Sequence, residues 1–249
     1  LFRSHVLGII KRDMKSWFIW SQVCFVLFYV PLCWAVNYLP GWLISATWQL
    51  TIIFGVLTTP LVRVKTQQSG YVRLKIPTKA IPWMVIILVG VFLTVASYIT
   101  HLKHIAPLLF AIIAIMLAAV AYPLGNRQIM ATTDGTVTAS EKVLAMLICS
   151  YPTWLIIATL SYTQVGLPSA PQLLNTFIVA LCSGVIATVL FFGATQLAVH
   201  DMKSLAAVEA TQAMEVIFSV LLSLLFLGHA LPTPAQLAGL CLMVFGIIM

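Results

Sequence analysis

The sequence predicts an all-α protein that crosses a lipid bilayer many times, and three observations carry that prediction. Of its 249 residues 61% are apolar and 8% charged, against roughly 25% charged in soluble domains. The apolar residues fall in blocks long enough to span a hydrocarbon core of about 30 Å, which takes about 20 helical residues. The few charges lie between the blocks, nearly all on one side.

Eight blocks follow one another at about 17–36, 42–62, 81–98, 107–124, 143–162, 173–199, 205–227 and 234–249. Backbone in lipid must satisfy its own hydrogen bonds, which leaves helices or a closed barrel. Barrel strands are about 10 residues of alternating polarity, and these blocks are longer and uniformly apolar. In the first, Trp20 reads as an interfacial anchor, while Tyr29 lies deeper. Asn37-Tyr38-Leu39-Pro40-Gly41 is a turn by composition, as are residues 166–171 and 228–233. The long connection is the polar, basic stretch 63–80. The fourth block runs into Tyr122-Pro123-Leu124-Gly125-Asn126-Arg127-Gln128, where Pro123 is expected to kink or end the helix. Tyr122, Asn126 and Arg127 form a polar helix-end cluster, with Arg127 placed to hold the halves together or to attract an anion.

Lysine and arginine favour the cytoplasmic side of short loops. Alternate connections collect Arg3, Lys11, Arg12, Lys15, Arg63, Lys65, Arg73, Lys75, Lys79, Arg127, Lys142 and Lys203; of the 13 basic residues only Lys103 falls opposite. Residue 1 and the 63–80 loop are therefore expected in the cytoplasm, in a multi-pass protein.

An internal repeat refines this. Residues 46–57 align without a gap on 210–221, with Ala46/Ala210, Thr47/Thr211, Ile53/Ile217, Phe54/Phe218, Val56/Val220 and Leu57/Leu221 identical. Pro77-Thr78-x-Ala80 matches Pro232-Thr233-x-Ala235. The first pair falls on the second and seventh blocks, so the unit is five helices, and an odd unit inverts topology. Residues 1–103 are expected to hold the last three helices of one half and 104–249 the five of the other. Two helices would precede residue 1, making the eight visible here the last of ten. Inverted repeats build many secondary transporters, with the substrate site near the midplane.

Polar groups at bilayer depth need a reason. Glu215, near the middle of the seventh block, stands out first; Thr211 and Gln212 lie on its face, and Glu209 nearer the cytoplasmic end. A carboxylate there would pair with a cationic substrate or take up a proton in exchange. The first-half counterparts are Thr47, Trp48 and Thr51, with Gln49 also polar. Trp48 would face a cation across the cavity by cation–π attraction, and Tyr29 would add to the lining. Packing against neighbouring helices is the bland alternative for each.

Other functions find no footing. The net charge of +7 lies in loops and forms no basic groove, so nucleic acid is not expected. The five cysteines lie inside apolar blocks without metal-ligand spacing. No metal, cofactor or nucleotide motif and no nucleophile–base pair appears, and an enzyme is not expected.

Pro40-Gly41-Trp42 with Thr47-Trp48-Gln49, the 121–128 stretch, Ser183-Gly184-Val185-Ile186-Ala187-Thr188 and Ala207-Val208-Glu209-Ala210-Thr211-Gln212 resemble the bacterial multidrug resistance efflux transporter family. This is an EamA-like, ten-helix branch of the drug/metabolite transporter superfamily, and the likeness covers nearly the whole chain. It implies two inverted five-helix halves around a central cavity, in the bacterial inner membrane. The expected partners are the bilayer, a small-molecule substrate and a proton or counter-solute, for a monomer or homodimer. The expected activity is secondary export of small organic solutes by alternating access. An amino-acid or metabolite exporter of the same fold is one rival, and a non-transporting membrane binding or scaffold protein another.

Overall fold

The computed structural model describes residues 2–66, 70–73, 76–99, 105–133, 137–198, 208, 211, 213–226, 228 and 231–249. It is a helical bundle in which each of the eight apolar blocks corresponds to a helix. A short amphipathic helix, α1 (Phe2–Arg12), comes first. Asp13 ends it and caps the next, accepting the Ser16 N–H at 3.2 Å. Then come α2 (Met14–Ala35) and α3 (Gly41–Leu57). After the 3₁₀ turn Thr59–Leu61, strands β1 (Arg63–Thr66) and β2 (Gly70–Arg73) pair antiparallel, Val64 opposite Val72. This hairpin is the one sheet among the described residues, and it occupies the basic connection.

The remaining helices are α4 (Ile81–Ile99), α5 (Ala106–Thr132), α6 (Ala139–Val165), α7 (170–198), α8 (Ala213–Phe226) and α9 (Pro234–Ile248). Three begin in reciprocal capping boxes that satisfy orphan amides: Thr138/Glu141, Ser169/Gln172 and Thr233/Gln236. Two turns use glycine where φ is positive, Gly166 at 78° and Gly228 at 62°, conformations a Cβ disfavours. Five spans, Met14–Ala35, Thr78–Ile99, Ala106–Thr132, Ala139–Val165 and Ala170–Phe191, are long and apolar enough to cross a bilayer; α3, α8 and α9 are shorter apolar helices.

Of the two outcomes expected at Pro123, a helix end is excluded: α5 continues to Thr132 and carries Asn126 and Arg127 as helical residues. A proline lacks the N–H that would bond the carbonyl four residues back, here Ala119. The Thr51 hydroxyl of α3 donates to that carbonyl at 3.3 Å instead. A neighbouring helix thus supplies the missing donor, and the helix survives its proline.

Lipid-embedded helices gain nothing hydrophobic by leaving lipid for each other, so close packing decides which pairs form. Helices α4 and α9 make the most extensive contact. A Cβ on Gly90 would come within 2.7 Å of the Gly239 carbonyl and of Met243 Cγ, and one on Gly239 would strike Thr94 Oγ1. Helix α2 crosses α5 equally closely: a Cβ on Gly125 would sit 2.6 Å from Cys24 Cβ. One core layer joins α3, α4, α5, α8 and α9 through Ala46, Leu50, Ile87, Ala119, Val216 and Met243. Another seats Val6 and Ile10 of α1 on Trp17, Ile129 and Met146. His5 Nδ1 lies 2.7 Å from Glu141 Oε1, tying α1 to the start of α6. Helix α7 is exposed from 170 to 187 and reaches the bundle through Phe191, which packs on Ala139 and Val143.

Candidate functional site

The site forms where α3 and α8 run side by side. Glu215 is the third residue of α8, and the residue is exposed to the space beside the helix. The side-chain amide of Gln49 lies within electrostatic reach of the Glu215 carboxylate. Gln49 is fully buried at the point where α3 tightens, the Ile52 N–H bonding the Gln49 carbonyl at 3.1 Å. The amide donates to the Ser45 carbonyl at 3.2 Å, while Gln49 Oε1 is buried without a partner.

Beside this pair stands an aromatic group. The Phe28 ring lies 5.0 Å from both Trp48 and Tyr122, and Trp48 lies 5.8 Å from Tyr122. Helices α2, α3 and α5 each supply one ring, and Tyr122 is within electrostatic reach of the Glu215 carboxylate. Ring centroids 4.5–7 Å apart in tilted or edge contact are favourable, and the ring faces are electron-rich. The arrangement combines one carboxylate, one amide and three aromatic rings, the ingredients for holding an organic cation. Among the described residues no group of three or more His, Cys, Asp or Glu converges on a metal position.

The residues singled out in the sequence divide into three groups. Glu215, Gln49, Trp48 and Tyr122 come together as described. Thr47 and Thr51 are buried and engaged elsewhere: Thr47 donates to the Leu43 carbonyl at 2.8 Å, Thr51 to Ala119. Thr211 is exposed and donates to the Val208 carbonyl at 2.6 Å. Tyr29 sits on the edge of the aromatic group, 5.8 Å from Phe28 and 6.1 Å from Trp154. Arg127 donates to the Gly55 carbonyl and to Thr59 Oγ1, bridging α5 to the end of α3. Asn126 is half-buried one turn along from Tyr122. Glu209 and Gln212 lie outside the described residues. Phe28 and Trp154 were not singled out; Phe28 carries no polar atom to mark it within an apolar block.

The fold defines a polytopic membrane helix bundle, and the class of membrane transporter comes from the family to which the sequence belongs. The chain belongs to the family described as "EmrE: Putative multidrug resistance efflux transporter", whose model matches residues 3–249. Among curated relatives, "Uncharacterized protein YjlA" of Bacillus subtilis (strain 168) is 43% identical over 242 residues, covering 96% of this chain and 74% of that protein. "Uncharacterized 42.1 kDa protein in intracellular alkaline protease 3'region" of Shouchella clausii is 40% identical over 186 residues, covering 75% of this chain and 48% of that protein. No solved structure matches the chain significantly.

Proposed function

We propose that the protein exports small organic cations in exchange for protons, by alternating access around Glu215. The observation that carries this reading is the Glu215 carboxylate facing Gln49 beside the Phe28, Trp48 and Tyr122 rings. A charge at bilayer depth is costly unless neutralised. A bound cation or a proton can neutralise it, and one carboxylate holds one of them at a time. That competition couples the two flows: proton entry releases the solute, and solute binding releases the proton. The aromatic rings favour a cation with an apolar body. The efflux family is consistent with outward movement.

In this reading residues 1–103 and 104–249 belong to two inverted five-helix halves, with two helices ahead of residue 1. The halves rock about the α3–α8 contact, and the hairpin side faces the cytoplasm of a bacterial inner membrane. Thr211 then lines the cytoplasmic approach.

Reconstitution into liposomes with an imposed pH gradient tests the proposal. A panel of lipophilic amines, quaternary cations and amino acids would be offered to the full-length protein. Gradient-driven flux of the cations, and its absence for amino acids, is the expected outcome. Flux of amino acids alone would favour the metabolite-exporter rival.

A further inference from the structure

The helices that carry Glu215 and Gln49 continue together away from the hairpin, packed through Ala46, Leu50, Val216 and Val220, with serines at intervals beside this apolar contact. Ser45 lies four residues before Gln49, one turn along the same face of α3. Ser219 and Ser223 lie four and eight residues after Glu215 on α8. The two helices run in opposite directions, so these serines face each other turn by turn. Between them the structure holds a cleft of about 380 Å³ lined by Trp42, Ser45, Ser219, Leu222, Ser223 and Phe226. A Cβ on Gly41, at its mouth, would meet nothing within 4 Å.

We propose that this cleft is the outward half of the solute route, leading from Glu215 to the face opposite the hairpin. The inference rests on the reading of Glu215 as the solute site and adds the path by which solute leaves it. Three features support it. By helical spacing the cleft begins one turn from the carboxylate, Ser219 following Glu215 by four residues and Ser45 preceding Gln49 by four. Its wall is aromatic and aliphatic with hydroxyls at intervals, which suits a cation with an apolar body. Among the described residues no charged side chain lines it, so a cation displaced from Glu215 meets no second counter-charge among them.

Cysteine accessibility tests the cleft without requiring transport. In the full-length chain with Cys24, Cys33, Cys149, Cys182 and Cys241 replaced, Ser219→Cys and Ser223→Cys would be treated with a membrane-impermeant thiol reagent from outside intact cells. Leu221→Cys and Leu225→Cys, on the outer flank of α8, are the controls. Ser219→Cys is expected to react about tenfold faster than Leu221→Cys, since a thiol held in apolar surroundings stays protonated and inert. Gly41→Trp should slow it by filling the mouth, and tetraphenylphosphonium should protect it. Labelling equal to that of the flank controls, or labelling solely from the cytoplasmic side, would overturn the proposal. Labelling that tetraphenylphosphonium does not slow would leave the cleft open to water but refute the cation reading of Glu215, so the two failures are distinguishable.

Discussion

The Thr51 hydroxyl reaches across from α3 to the Ala119 carbonyl of α5, the one carbonyl that Pro123 leaves without a helical donor. This explains how α5 passes its proline and runs on to Arg127. It also gives Thr51 a structural task. Thr51→Val is expected to destabilise the protein by roughly 1 kcal/mol. In a Pro123→Ala background the same change should cost close to nothing, because the helix then supplies its own N–H. A double-mutant cycle of unfolding in detergent measures the difference, and equal costs in both backgrounds would refute the assignment.

Arg127 clasps the hairpin-side ends of α3 and α5 through the Gly55 carbonyl and Thr59. Hydrogen bonds from a charged donor are worth about 1.5–3 kcal/mol, so Arg127→Ala should lower stability by about 2 kcal/mol. Arg127→Lys should recover part of it, since an ammonium lacks the planar fork that reaches two acceptors at once. Thermal unfolding of the purified variants measures both.

The α4–α9 seam depends on having no side chain at Gly239. Gly239→Ala would drive a methyl into Thr94 and to within 2.7 Å of the Gly90 carbonyl. Overpacking of this kind costs roughly 1–3 kcal/mol. Adding Thr94→Ala should restore only part of the loss, because the backbone clash stays. Full restoration of the melting temperature would place the close contact elsewhere.

The Trp48 ring lies among Phe28 and Tyr122 beside Gln49. If these rings hold a cation, Trp48→Ala should weaken tetraphenylphosphonium binding about tenfold, as expected for a cation–π contribution of roughly 1–2 kcal/mol. Trp48→Phe should weaken it less. Titration in detergent reads the affinity directly, and wild-type affinity in Trp48→Ala would remove the ring from the site.

Much of this architecture is legible in the sequence, because block length and uniform hydrophobicity are local properties. Those two properties place the eight helices, and turn composition marks the positive-φ glycines Gly166 and Gly228. The extent of α5 was not legible. Proline reads as a stop when only its own helix is considered, and the Thr51 donor comes from 68 residues away. The hairpin is obscured in the sequence by the charges of 63–80, although Val62, Val64, Tyr71 and Val72 are strand-forming residues there. In the site, Glu215 and Trp48 were visible as costly or distinctive residues at depth. Phe28 was not, since only packing against Trp48 and Tyr122 sets it apart from other apolar residues. The serine rail at Ser45, Ser219 and Ser223 was present in the spacing, but hydroxyls are common in membrane helices, and the facing of α3 against α8 is what gives them a common cleft.

Glu215→Gln bears most directly on the central claim. Glutamine keeps the shape and the contact with Gln49 but can neither bind a proton nor pair with a cation. In proteoliposomes with an imposed pH gradient, the variant is expected to lose proton-driven cation flux while folding and reconstituting like the wild type. Gradient-driven flux at the wild-type rate in Glu215→Gln would contradict the account.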